Sequence, residues 1–175
     1  MVIEEQTDPE LVKASLDGNQ FAYETLVRRH QDAVFGLAMS MTRNPEDAAD
    51  MAQEAFIRAY TKLEQYNPNY EFKSWMLRIC ANLTKNLFRG RVRRRKMEER
   101  HMVQTEIEQS ATTPDFQELE EALAKLPAKF GAPLRLKYME GLGYEEVAKI
   151  LGVGVSAAKM RVLRGKKMLA EVLEL

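Results

Sequence analysis

Residues 66–96 hold the densest set of side chains able to do binding chemistry. Tyr66-Asn67-Pro68-Asn69-Tyr70 places two aromatics and two amides in a short loop. The stretch that follows, EFKSWMLRICANLTKNLFRGRVRRRK, carries Arg78, Lys85 and Arg89 before it breaks into Arg91, Arg93, Arg94, Arg95 and Lys96. Aromatic faces for bases beside cations for phosphates are what single-stranded nucleic acid requires of a protein. On a helical wheel Phe72, Trp75, Met76, Ile79, Leu83 and Leu87 gather on one side. Ser74, Arg78, Lys85 and Arg89 fall opposite, with Asn82 at the edge, so the charged part of that side is wholly positive. A core helix with a merely solvated basic face has the same pattern, and this stretch alone leaves both readings open.

A second set lies near the end of the chain. Tyr144 to Leu151 reads as a short helix, Gly152-Val153-Gly154-Val155 as a turn, and Ser156 as the N-cap of a last helix; together they make a helix-turn-helix. Ala158, Val162, Gly165 and Leu169 are expected to pack inward. Met160, Leu163, Arg164 and Lys167 are expected to project outward, with Lys159 at the boundary. Cations for phosphate or guanine and apolar groups for thymine methyls suit a helix in the major groove. The same motif also serves as a plain structural corner.

The third set is acidic. Asp47, Asp50, Glu54 and Arg58 share a helix face, with Gln53 toward its edge and Ile57 among them. An isoleucine framed by carboxylates suits a basic, partly apolar partner, although isolated exposed apolar residues are common. The other face carries Ala48, Ala52, Ala55 and Ala59, a small-residue seam for close helix packing, flanked by Phe56 and Leu63.

Composition narrows the possibilities. The chain has 175 residues, 45% hydrophobic and 30% charged, with formal net charge +0, so nucleic-acid affinity has to come from segregated charge. One cysteine, Cys80, excludes an internal disulfide, and with two histidines, His30 and His101, no zinc set is evident. Cys80 sits beside the apolar face of its helix and is expected to be buried. No nucleophile–base pair or phosphate loop is present. The absence of a signal peptide or long apolar span points to a cytosolic protein without membrane insertion.

The elements that position these sets are all helical. Asp8-Pro9-Glu10 reads as a cap followed by proline at the first helical position. Asn19 opens a longer helix through Met41, and Asn44-Pro45 repeats the signal for a third, to about Leu63. Residues 97–115 change character, with mixed charge and few large apolar groups. The expected architecture is all-α: a first domain at 1–96, a linker at 97–113 and a smaller domain at 114–175.

Joined in this order, the pieces resemble an extracytoplasmic-function sigma factor of the sigma-70 family, which keeps two domains, region 2 and region 4. Residues 47–60 are similar to the family's D-x-x-D-x-x-Q-E-x-F stretch, and residues 72–82 to its F-x-x-W-L-x-x-I-A-x-N stretch. Leu126-Pro127 and Gly141-Leu142-Gly143-Tyr144-Glu145-Glu146-Val147-Ala148 resemble the region 4 signature. The resemblance implies a transcription initiation factor with no catalytic residue, metal or cofactor. Its implied partners are core RNA polymerase (clamp coiled coil of the largest subunit, flap of the second-largest), promoter DNA and an anti-sigma factor. Carried over by position, Asp47, Asp50, Gln53, Glu54, Ile57 and Arg58 would dock on the clamp. Tyr66, Asn69 and Asn82, beside Trp75, would hold a flipped base of the −10 element, with Arg78, Lys85 and Arg89 on the backbone around it. Ser156, Lys159, Met160, Leu163, Arg164 and Lys167 would meet the −35 element.

Two departures stand out. Ser156-Ala157-Ala158-Lys159-Met160 replaces the usual G-T-V-like start of the recognition helix, so −35 preference does not transfer from relatives. Gly165-Lys166-Lys167 replaces an Ala-Arg pair, and a glycine inside a helix implies a close-packing reason. The rival readings are a dimeric helix-turn-helix regulator, which would leave the acidic face unused, and a helical adaptor for acidic partners.

Overall fold

The computed structural model describes residues 6–98 and 114–173, which form eight α-helices and one 3-10 turn. α1 (Asp8–Leu16) starts one residue earlier than its proline signal suggests. Thr7 is the N-cap, and the Glu10 carboxylate accepts from the Thr7 backbone N–H at 2.7 Å and from its hydroxyl at 2.8 Å. Asp8 is thereby released from capping. Its carboxylate accepts from Arg29 Nη1 at 2.6 Å and lies 2.8 Å from His30 Nε2. His30 is 6% exposed and leans on the Phe72 ring, so this pair ties α1 to the helix below it.

α2 (Gln20–Thr42) begins at Asn19, whose side chain accepts from the Ala22 N–H, and ends at Arg43 in the left-handed region, φ 56°. α3 (Pro45–Thr61) is capped by Asn44 through the Asp47 N–H at 2.9 Å. It stops short of the expected Leu63, which is buried in a separate 3-10 turn, Leu63–Gln65. The alanine seam performs as expected: Ala48, Ala52, Ala55 and Ala59 are all buried where α3 packs on α2 and α4. α4 (Phe72–Glu98) is the long basic helix.

The second half contains α5 (Pro114–Lys125), α6 (Ala128–Tyr138), α7 (Tyr144–Leu151) and α8 (Val155–Val172). Gly152 closes α7 at φ +63°, a backbone that L side chains adopt at a cost. Gly154 is the N-cap of α8, so the expected cap Ser156 lies inside the first turn with its side chain exposed. Ala158, Val162 and Gly165 turn inward as expected. The reason for Gly165 is backbone contact: a Cβ there would lie 2.9 Å from the carbonyl oxygen of Phe130 in α6.

The halves are packed together. α6 lies on α2 and α7 on α4, and one apolar cluster runs through both, from Leu26, Leu37, Met76 and Leu77 to Leu136, Val147 and Ile150. A smaller cluster, Leu123, Leu126, Leu134 and Val162, holds α5, α6 and α8 together. The expected linker, 97–113, lies outside the described residues apart from its first two, which end α4; His101 lies outside them as well. No helix among the described residues is long and apolar enough to cross a membrane.

Two stability predictions follow from the packing. Helix propensity alone favours Gly165→Ala by about 1 kcal/mol, but the contact with Phe130 is expected to reverse the sign and destabilise by ~1–2 kcal/mol, read as a lower urea midpoint. At Asp8, burial raises the carboxyl pKa, but hydrogen bonds and charges from His30 and then Arg29 outweigh it and hold the group below the ordinary value. Its contribution is therefore full above the unfolded carboxylate pKa and is lost as pH falls through the folded one. Asp8→Asn should destabilise by ~1–2 kcal/mol at pH 7, and the difference from the parent should shrink as urea titrations move from about pH 5 toward pH 3.

Candidate nucleic-acid interface

α4 divides its circumference into three sectors. Phe72 and Met76 are buried in the first half of the chain, with Trp75, Ile79, Leu83 and Leu87 partly so, as the periodicity implies. Arg78, Asn82 and Arg89 are exposed. Between these sectors runs a stripe of which the sequence reading placed only Ser74, on the polar side: Ser74, Leu77, Ala81 and Thr84 are all buried, and α7 packs against this helix. Ser74 is 8% exposed with its hydroxyl unpaired, while Thr84 turns its hydroxyl onto the Cys80 carbonyl at 2.9 Å. Lys85 is half-buried at the edge of the stripe. Burial, then the like charges of Arg89 and Arg78, lowers its pKa, so the three cations share one electrostatic patch. Cys80 is fully buried, which pushes its thiol up to about 12 and makes it unreactive.

In the loop before α4 the two tyrosines differ in exposure. Tyr66 is 8% exposed, and its hydroxyl donates to the Tyr70 carbonyl at 2.6 Å. Its ring stands 5.4 Å from Phe72 and 5.4 Å from Trp75, which are 5.7 Å from each other. Burial, then the charges of Asp8 and Glu71, raises the Tyr66 pKa and keeps it a donor. Tyr66 is therefore a brace beneath the loop rather than an open stacking face. Tyr70, the other loop aromatic and one that the family resemblance did not carry over, is 65% exposed. Asn69 is exposed, its N–H bonded to the Asn67 side chain at 3.0 Å.

On α3, Asp50, Gln53, Ile57 and Arg58 are exposed, and Glu54 accepts from Arg58 at 2.9 Å. Ile57 is not isolated. It borders an open groove of about 1030 Å³ between α2 and α3, lined also by Tyr23, Val27, Phe35, Phe56 and Tyr60. Phe35 of α2, a large apolar side chain on the wall of this groove, is 41% exposed. Asp47 stands apart from this face. Both its oxygens accept from Arg91, each at 2.6 Å, and its side chain is 17% exposed. That bidentate pair clasps the basic end of α4 to the start of α3.

On α8, Ser156, Lys159, Met160, Leu163, Arg164 and Lys167 are all exposed. Met160 and Leu163 are about half so, leaving apolar groups framed by cations, and Lys159 also reaches the Tyr144 ring, 5.7 Å from its centroid. Among the described residues no group of His, Cys, Asp and Glu could hold a metal ion.

Comparison with known proteins agrees with this arrangement. Two family models match: Sigma-70 region 2 over residues 26–94, and Sigma-70, region 4 over residues 116–169. The ECF RNA polymerase sigma-E factor of Haemophilus influenzae is 31% identical over 182 residues, covering 95% of each chain. The ECF RNA polymerase sigma factor SigE of Mycolicibacterium smegmatis is 33% identical over 162 residues, a match that takes in 87% of this chain and 62% of that relative. The fold is shared with the sigma factor RpoE of Bartonella quintana, solved with the anti-sigma factor NepR: TM-score 0.73 and 23% identity over 87% of this chain and 97% of that one. The chain belongs to the extracytoplasmic-function sigma factors of the sigma-70 family.

Proposed function

We propose that this sigma factor holds core RNA polymerase through α3 and the α2–α3 groove, captures the −10 strand on α4, and grips the −35 duplex with α8. The observation that carries this reading is a pair of exposed basic helix faces in the two halves of one chain: Arg78, Asn82 and Arg89 on α4, and Lys159, Arg164 and Lys167 on α8. Neither contact has to be strong, because tethering to one polymerase supplies a high effective concentration for both. Residues 1–96 and 114–175 act as the two domains and 97–113 as their linker. The protein works in the cytoplasm as an initiation factor, not an enzyme. A stand-alone operator-binding regulator is not favoured.

Extruding a −10 base costs a few kcal/mol of stacking. Asn82, Asn69 and exposed Tyr70 offset this from the rim, with Tyr66 and Trp75 fixing the loop beneath. Arg78, Lys85 and Arg89 take the flanking phosphates. Asp50, Gln53, Glu54, Ile57 and Arg58 meet the clamp coiled coil, while Asp47 positions α4 through Arg91. The second domain meets the flap. An anti-sigma factor that fills the apolar groove would compete with polymerase for it.

Reconstituted transcription over a pool of genomic promoter fragments tests the division of labour. Asn82→Ala and Tyr70→Ala should each lower new starts about tenfold, the scale of a lost base contact, with core affinity unchanged. Ile57→Asp should instead weaken core binding about tenfold or more, ~1.4 kcal/mol. Full initiation by Asn82→Ala would refute the −10 assignment. Asp47→Asn should weaken promoter binding more than core binding; the opposite ranking would return Asp47 to the clamp face.

A further inference from the structure

α1 supplies no residue to the faces proposed to bind polymerase or DNA, yet its first turn bears on both ends of the 66–70 loop. That loop is stiff within itself. The Asn67 carbonyl accepts from the Tyr70 N–H at 3.1 Å, and the Asn67 side chain from the Asn69 N–H at 3.0 Å. The Tyr66 hydroxyl closes the loop on the Tyr70 carbonyl at 2.6 Å. A loop so bonded moves as one piece, and its aim depends on how its two ends are seated. At one end the buried Tyr66 ring packs on Phe72 and Trp75; at the other, buried Phe72 opens α4. Asp8 and His30 reach both seats. The His30 ring stands 5.5 Å from Phe72, tilted by 46°, and its Nε2 lies 2.8 Å from the Asp8 carboxylate. The Tyr66 hydroxyl feels the Asp8 charge, which after burial is the next cause of its raised pKa. Arg29 holds Asp8 from the outer side, donating to it at 2.6 Å and to the Gln6 carbonyl at 3.0 Å. Behind the loop, α1 packs on the 3-10 turn Leu63–Gln65. Asp8 serves here because Thr7 and Glu10 cap the helix in its place.

We propose that Asp8 and His30 are positioning residues for base selection in the −10 element: they set the angle at which the 66–70 loop presents Asn69 and Tyr70. The proposal rests on the assignment of that loop to a flipped −10 base. Groups that read a base have to be held within about 0.5 Å and 10–20° of their working geometry. Long cations such as Arg78 and Arg89 tolerate more, because a flexible stem lets the charge follow a displaced phosphate. A loosened seat beneath the loop therefore costs selectivity at the flipped base before it costs affinity for the strand. Neither Asp8 nor His30 has to touch DNA for this. They act through Phe72 and Tyr66, the residues from which the loop departs and to which it returns.

The test uses holoenzyme reconstituted from core RNA polymerase and the full chain, transcribing a barcoded promoter library randomised across the −10 element. Sequenced barcodes give the base preference at each position, and titration of labelled chain gives core affinity. His30→Phe keeps a ring against Phe72 but loses the hydrogen bond to Asp8; His30→Gln keeps a donor but loses the ring. Each should lower the preference at one −10 position about threefold to tenfold, within the range of a single base contact, with the other positions and core affinity unchanged. Asp8→Asn combined with His30→Phe should relax that position no further than the worse single variant, because the two residues act as one unit. Met41→Ala, a core variant at the far end of α2, controls for plain loss of stability and should keep every preference of the parent. Uniformly weaker initiation by the His30 variants with all preferences intact overturns the proposal, as does equal relaxation in Met41→Ala. Asn82→Ala separates this proposal from the reading beneath it. If Asn82→Ala relaxes one position and the His30 variants do not, the −10 assignment stands and the positioning role falls. If Asn82→Ala also leaves every preference intact, both fall.

Discussion

The structure depends on how α4 divides its circumference. A helix proposed to read nucleic acid has to be held still, which takes apolar burial, and it has to keep a charged face exposed. α4 meets both demands because Phe72 and Met76 anchor one side, while Arg78, Asn82 and Arg89 stay hydrated on the other. Apart from Leu77, the sector between them is neither strongly apolar nor charged. Ser74, Ala81 and Thr84 are small enough for a second helix to approach, and α7 does so. Small residues on a polar face thus mark a packing surface, a signal that hydrophobic periodicity does not register.

Around this helix the aromatics and charges act as braces. The triangle of Tyr66, Phe72 and Trp75 fixes the loop before α4, and His30, held by Asp8, leans on Phe72 from behind. The first turn of α1 is thereby linked through three contacts, Asp8 to His30, His30 to Phe72 and Phe72 to Tyr66, to the loop proposed to hold a base. At the other end of α4 the Asp47–Arg91 pair performs the same task with charge, its two parallel hydrogen bonds specifying orientation as well as proximity. Rigid support from buried neighbours is what lets an exposed side chain such as Tyr70 or Asn82 be placed accurately.

In the second half, glycine permits close approach. Gly165 brings α8 against the backbone of α6. Gly36 admits Arg135 to the face of α2. In both cases a residue unfavourable to helices remains in one because a neighbour occupies the missing Cβ's space, and the local cost is offset by a tertiary contact.

Much of this protein was legible in its sequence, because the deciding forces are local. Asn19, Asn44 and Pro45 mark helix starts through hydrogen bonds within one turn, and the alanine seam of α3 declares itself by spacing. The inward and outward faces of α8 follow from the same periodicity. The all-α class and the positive faces of α4 and α8 were therefore available from the chain alone. Contacts between distant segments were not. Which tyrosine of the 66–70 loop turns inward depends on where Phe72 and Trp75 already sit. Asp47 reads as one more carboxylate on an acidic face until the fold brings Arg91, 44 positions away, against it. The notch at Gly36 exists only once α6 lies on α2. Periodicity reports which side of a helix avoids water, but only the tertiary structure decides which surface covers it, because that depends on the joint shape of segments far apart in the chain.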